Sequence, residues 1–303
     1  MTNYTAFALK RLSEILRPWF FDEDRLRLGW RLILFMSLII LVGGISLIPL
    51  VALILATWIM TGLVDRRPFS SVGLILNRPA WAELFAGMGF GVLWMSVAAG
   101  VLFVVGSGQW LAGNITENLE VILFNIIVLH VFVAFFEELL IRGYLFQTLI
   151  ESIGEVPALI ITSLGFALLH FDNPNVNFIS LINLALAGLM LGAMVLKNKT
   201  LWAAIGFHFT WNVTQGFVYG LPVSGINFDF YWNQVTLNGP EWLTGGAFGP
   251  EASLLTSMLL IMATMWILRS YHWKPSDKAF KWWNQYVKPR STLTQFLSKK
   301  TSS

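Results

Sequence analysis

From Val121 to Phe146 the chain is apolar at every position but a few, and the exceptions are Asn125, His130, Glu137, Glu138 and Arg142, with Gly143 and Tyr144 beside them. A run of that length exceeds the roughly 20 apolar residues needed to cross a bilayer. Comparable apolar stretches occupy 33–64, 80–106, 119–150, 156–170, 178–196, 201–220 and 252–269. In hydrocarbon every backbone N–H and C=O must be satisfied internally, so runs of this kind fold as helices. The sequence therefore predicts an all-α polytopic transmembrane helical bundle. Of its 303 residues 12% are charged, about half the usual share of a soluble domain, and its mean hydropathy is +0.66. It has no cysteine, which excludes disulfide and thiolate chemistry.

The charges are placed unevenly. Arg66, Arg67 and Arg78 share one loop, Lys197 and Lys199 another, and more follow Tyr271, while 107–118, 171–177 and 221–250 contain no Lys or Arg. By the positive-inside rule the first set is cytoplasmic, the second external, and the C-terminus cytoplasmic. Residues 33–64 would measure about 48 Å as one helix, long for one span and short for two. Gly43, Gly44 and Pro49 offer a break, so seven to eight membrane helices are expected. Residues 1–32 read as an amphipathic interfacial segment through Leu9, Leu12, Leu16, Trp19 and Phe20, with no cleavable signal peptide evident. Residues 33–270 form the membrane domain, and 271–303 a basic tail with Trp273, Trp282, Trp283 and Tyr286 suited to lipid headgroups. The basic residues fit a membrane surface and not nucleic acid; His272 belongs to this tail and carries no chemistry. Segment 221–250, rich in glycine and aromatics, reads as either a lid-like re-entrant loop or an ordinary interfacial connection.

Ionisable groups within apolar segments are expensive and persist where they pair or act. Glu138 and Arg142 are four residues apart and share one helical face, which leaves Glu137 turned about 100° toward another neighbour. Two adjacent carboxylates in a dry site rarely ionise alike, so one can serve structure and the other chemistry. The next apolar segment ends in Phe166-x-x-x-His170. With a turn near Ile153-Gly154, Glu137 and His170 each lie roughly 25 Å from it and meet at one depth. A third segment carries His208 and Asn212, again four apart on one face. His130, two turns before Glu137, is either a packing residue or a lining residue of the same cavity.

These residues resemble the CPBP family of intramembrane endopeptidases, which includes the CAAX prenyl endopeptidases and bacterial bacteriocin-processing proteins. The pattern Glu-Glu-x-x-x-Arg, Phe-x-x-x-His, His-x-x-x-Asn is matched in order by Glu137-Glu138-Leu-Leu-Ile-Arg142, Phe166-x-x-x-His170 and His208-x-x-x-Asn212, within a core of 119–220. Arg142-Gly143 and Leu201-Trp202 also look like the family, and the flank Arg67-Pro68-Phe69-Ser-Ser-Val-Gly73 looks like its bacterial members. The resemblance implies a CAAX-protease-like fold in a bacterial plasma membrane and cleavage by an activated water, without metal or cofactor. It implies Glu137 as general base, His170 assisting at the same water, His208 and Asn212 stabilising the oxyanion, and Glu138, Arg142 and Phe166 in support. Expected partners are membrane lipid and a hydrophobic or lipid-modified peptide or protein. Oligomeric state is not read.

Other readings remain at this stage. Two Glu and two His can ligate zinc with one position open, although no His-Glu-x-x-His helix is present. A non-enzymatic immunity or regulatory protein on the same fold would use the groups as a structural network. A proton-relaying transporter would be expected to show inverted repeats, and none is seen.

Overall fold

Local punctuation sets where the helices begin. The computed structural model describes residues 14, 17–22, 25–45, 49–113, 119–228 and 230–287, in two compact units, Met1–Ser71 and Val72–Ser303. In the first unit, α1 (Leu28–Ile45) and α2 (Pro49–Val64) pack against each other, so the long run at 33–64 is two helices. Pro at the first position of α2 costs nothing, since that N–H has no helical acceptor anyway. Ahead of α1, β1 (Phe21–Asp22) pairs antiparallel with β2 (Arg25–Leu26), and Trp30 donates to the Trp19 carbonyl at 3.0 Å. The expected N-terminal amphipathic helix lies largely outside the described residues. Asp65, which the sequence reading passed over, closes this unit: Arg25, Arg31 and Arg67 approach its carboxylate to 3.3, 2.6 and 3.6 Å.

The second unit opens with α3 (Arg78–Val104), capped by the Asn77 side chain, which accepts from the Ala80 N–H. There follow β3 (Gly108–Ala112), α4 (Leu119–Ile153), α5 (Glu155–Leu168) and α6 (Phe178–Asn198). The α4–α5 turn falls where the sequence puts it, at Gly154, whose φ of +90° suits a residue without Cβ. Asn177 and Ser180 form a reciprocal capping box at the start of α6. α7 (Trp202–Val213) runs on through a π-helical turn, Thr214–Val218. Then come β4 (Asn233–Leu237), a one-turn α8 (Glu241–Thr244), α9 (Leu254–Arg269) and α10 (Asp277–Tyr286).

α3, α4 and α6 are long and apolar enough to cross a membrane, and α1, α2, α5 and α9 are shorter apolar helices. The protein is a helical membrane protein. The β-structure among the described residues is short: the β1–β2 ribbon, the antiparallel pairing of β3 with β4, and an isolated bridge between Val223 and Ile226. Segment 221–250 thus carries the strand β4, the one-turn α8 and a 3-10 turn at Gly246–Phe248.

Between helices, close packing rests on missing side chains. α3 lies against α7 so closely that a Cβ on Gly87 would come 2.1 Å from the Ala203 carbonyl oxygen, and one on Gly206 2.3 Å from that of Leu84. Thr210 spans the same seam, its hydroxyl donating to the Met88 carbonyl at 2.8 Å. Gly188 gives α6 the same intimacy with α5, where a Cβ would meet Ser163 Cα at 2.8 Å. With lipid as solvent, close approach through small residues is how helices gain packing contacts. At the other end of α6, Lys199 reaches Glu155 at 3.2 Å and stands 4.4 Å from the Trp283 ring centre, tying α10 to the α4–α5 turn.

Candidate active site

Directly after Glu138 the α4 helix widens into a π-helical stretch, Leu139–Leu145. Such insertions recur at functional sites because they re-aim side chains. Within it Arg142 turns back, and its Nη1 donates to Glu138 Oε1 at 2.9 Å while Nη2 donates to the Gly188 carbonyl at 3.3 Å. Its guanidinium carbon stands 4.3 Å from the centre of the Phe166 ring. Glu138 and Arg142 are both buried, at 0% and 1% exposure. Phe166 therefore serves as a platform: Arg142 lies over it, and the His170 and His208 rings pack at 4.9 and 6.0 Å from its centre.

Glu138 has a second partner that spacing did not reveal. His208 Nδ1 lies 3.1 Å from Glu138 Oε1. The carboxylate can only accept, so this nitrogen carries the hydrogen. One oxygen of Glu138 thus serves Arg142 on its own helix and His208 on α7, and His208 is held in one orientation with Nε2 facing away.

Glu137 behaves differently. Its Oε2 lies 3.7 Å from His170 Nε2 and 3.9 Å from His208 Nε2, beyond direct hydrogen-bond length, and it has no hydrogen-bond partner. His170 Nδ1 donates to the Phe166 carbonyl at 2.9 Å, fixing that ring too with Nε2 toward Glu137. One carboxylate oxygen and two imidazole nitrogens, from α4, the turn that ends α5 and α7, thus converge without touching.

Beside them is a narrow cavity of about 50 Å³, room for a few waters. Phe166, His170, His208 and Asn212 line it, with Leu184, Leu191 and Leu260 forming an apolar wall. The Asn212 side chain has no hydrogen bond among the described residues and is free to serve the cavity.

Glu251 also lines this cavity, and the sequence reading did not single it out. Trp211 Nε1 donates to its Oε1 at 3.1 Å, and the Ser224 N–H and hydroxyl donate to Oε2 at 2.5 and 3.1 Å. Asn183 Nδ2 donates to the Glu251 and Ser253 carbonyls at 2.7 Å each, and Asn173 Nδ2 to the Ser224 carbonyl at 2.8 Å. The connection between α7 and α9 is thus latched over the site. Trp211, adjacent to Asn212, was the one signal available in sequence.

His130 stands apart from this convergence. Its Nδ1 donates to the Ile126 carbonyl at 2.8 Å, and its ring packs 5.2 Å from Phe228. Among the described residues no three His, Cys, Asp or Glu side chains are arranged to hold a metal ion.

All seven motif residues fall within one stretch, and that stretch has a counterpart. Residues 119–214 match the Rce1-like family of type II CAAX prenyl endopeptidases. The match agrees with the CPBP resemblance carried by the three motifs. The matched segment spans α4 to α7, and these helices with the turn after α5 supply every side chain of the convergence described above. Neither the curated proteins nor the solved structures gave a match.

Proposed function

We propose that the protein is an intramembrane glutamic endopeptidase that hydrolyses a peptide bond of a membrane-associated peptide or protein with a water activated by Glu137 and His170. The observation that carries this reading is the unpartnered Glu137 Oε2 facing two oriented imidazole nitrogens. A water there can give one hydrogen to Oε2 and the other to the lone pair of neutral His170 Nε2, leaving its own lone pair aimed outward.

As that oxygen attacks the carbonyl carbon, Glu137 takes its proton and later passes it to the departing amine. The carbonyl oxygen becomes an oxyanion beside His208 and Asn212. Because Glu138 already accepts the His208 Nδ1 hydrogen, a second proton on Nε2 makes an imidazolium whose charge Glu138 offsets. Asn212 Nδ2 supplies the other donor. Preorganised donors of this kind, in a site closed to bulk water, act most strongly where charge develops.

In this reading Glu137 and His170 activate the water without zinc. Cleavage that survives a strong chelator but is lost in Glu137→Ala agrees with this; chelator inhibition reversed by added zinc overturns it. The apolar wall of the cavity suits a hydrophobic or lipid-modified segment. The clustering of Lys and Arg supports a cytoplasmic C-terminus, and the resemblance of Arg67-Pro68-Phe69 to bacterial members supports a bacterial plasma membrane. The deciding experiment compares peptides in membranes holding the wild-type protein with those holding Glu137→Ala. A precursor that accumulates in the variant is the expected result, and identical peptide sets would sink the proposal.

A further inference from the structure

A second and larger cleft lies away from the site, between the start of α3 and the chain that follows α9. Its volume is about 520 Å³, within the roughly 300–1,000 Å³ of small-molecule sites. It takes no part in the chemistry proposed above. Its two ends differ in character.

The inner end is apolar. Ala86 and Gly89 on α3 leave the floor open, and a Cβ on Gly89 would meet nothing within 4 Å. Leu93 and Trp266 wall it and are themselves 56% and 45% exposed, so the cleft opens on the flank of the helices, where acyl chains lie.

The outer end is polar and its groups are unsatisfied. Glu83 accepts a hydrogen bond from Thr200, but among the described residues no Lys, Arg or His forms an ion pair with it. Asn198, 1% exposed, has a side-chain nitrogen with no hydrogen-bond partner, and the buried Trp273 indole N–H also has none. Each such group, left unmet in a dry setting, is costly and favours an arriving acceptor. Lys274, exposed at the mouth, adds a positive charge. The unmet set is thus one carboxylate asking for a cation, and two N–H donors with one ammonium asking for anionic oxygens.

We propose that this cleft binds an amine-bearing phospholipid, phosphatidylethanolamine. Its ammonium would pair with Glu83, its phosphate would accept from Asn198 and Trp273 and face Lys274, and an acyl chain would run over Gly89 between Leu93 and Trp266. An anionic lipid would set its charge against Glu83. A choline headgroup has no N–H to donate to that carboxylate.

The test uses the full-length protein in detergent micelles carrying equal amounts of phosphatidylethanolamine, phosphatidylglycerol and phosphatidylcholine, with retained lipid counted by native mass spectrometry. Wild type is expected to retain phosphatidylethanolamine about tenfold over the other two, a factor of the size one well-placed charged contact gives. Glu83→Gln keeps the acceptor for Thr200 and should abolish the preference. Gly89→Leu, which fills the floor, should reduce retention of all three lipids. Equal retention by wild type, a preference for phosphatidylglycerol, a peptide held in place of lipid, or an undiminished preference in Glu83→Gln would each overturn the proposal. Should Glu83→Gln fail to fold, Lys274→Ala at the exposed mouth serves instead: weaker retention supports the site, and unchanged retention refutes it.

Discussion

Glu137 and Glu138 are neighbours in the chain and of one residue type, yet the fold treats them as opposites. Glu138 is wholly buried and shares one oxygen between Arg142 and His208, while Glu137 keeps 18% of its side chain exposed and an oxygen with no partner. A carboxylate held by an arginine and an imidazole is committed to geometry. A carboxylate left uncommitted between two imidazoles is available for proton transfer. The difference follows from helical rotation, since consecutive side chains point about 100° apart.

The strongest way to break the comparison is Glu137→Gln. It should lower cleavage of the precursor found by the membrane comparison by about 10²- to 10⁴-fold, the usual contribution of a general base. Thermal unfolding in detergent should be unchanged, and a large loss of stability would mean that Glu137 too is structural. Arg142→Met should do the reverse, destabilising the fold by about 3–5 kcal/mol because it leaves the buried Glu138 carboxylate without its cationic partner, with the His208 N–H alone to hold it. Unfolding measurements giving less than about 1 kcal/mol would remove Glu138 from its assigned role.

Asn212→Ala sharpens the contrast on the acceptor side. We expect about a 10²- to 10³-fold fall in kcat with an unaltered melting profile, as for loss of one oxyanion donor. A change confined to KM would point instead to substrate binding. Smallest is Gly206→Ala at the seam of α3 and α7, expected to cost about 1–3 kcal/mol through overpacking. Equal stability of variant and wild type would show that the seam relaxes freely.

Much of this arrangement was legible beforehand. Apolar runs located every long helix, and residue counts about Gly154 brought Glu137 to His170. The i, i+4 spacing gave the Glu138–Arg142 pair. Periodicity within one helix could not show that Glu138 also reaches His208, because that contact depends on how α4 and α7 approach. Nor could it give Glu251, a lone acid beyond the motifs, whose position is set by the hydrogen bonds of a connecting segment. The two short ribbons were missed for a related reason: strands of two to five residues leave too little alternation to read. The break in 33–64 was visible as glycine and proline, but its outcome as two helices came from packing.

The glycine seam has a consequence for how the sequence of α7 can change. Gly206 faces α3, and His208, two positions on, lies about 200° around the helix, on nearly the opposite side. The seat and the chemistry are thus front and back of a single turn, and the glycine acts as an index mark from which the histidine's bearing is measured. One residue inserted between them would leave the seat in place and swing His208 and Asn212 about 100° out of the site. The same insertion ahead of Trp202 would fall outside the helix and leave that bearing intact.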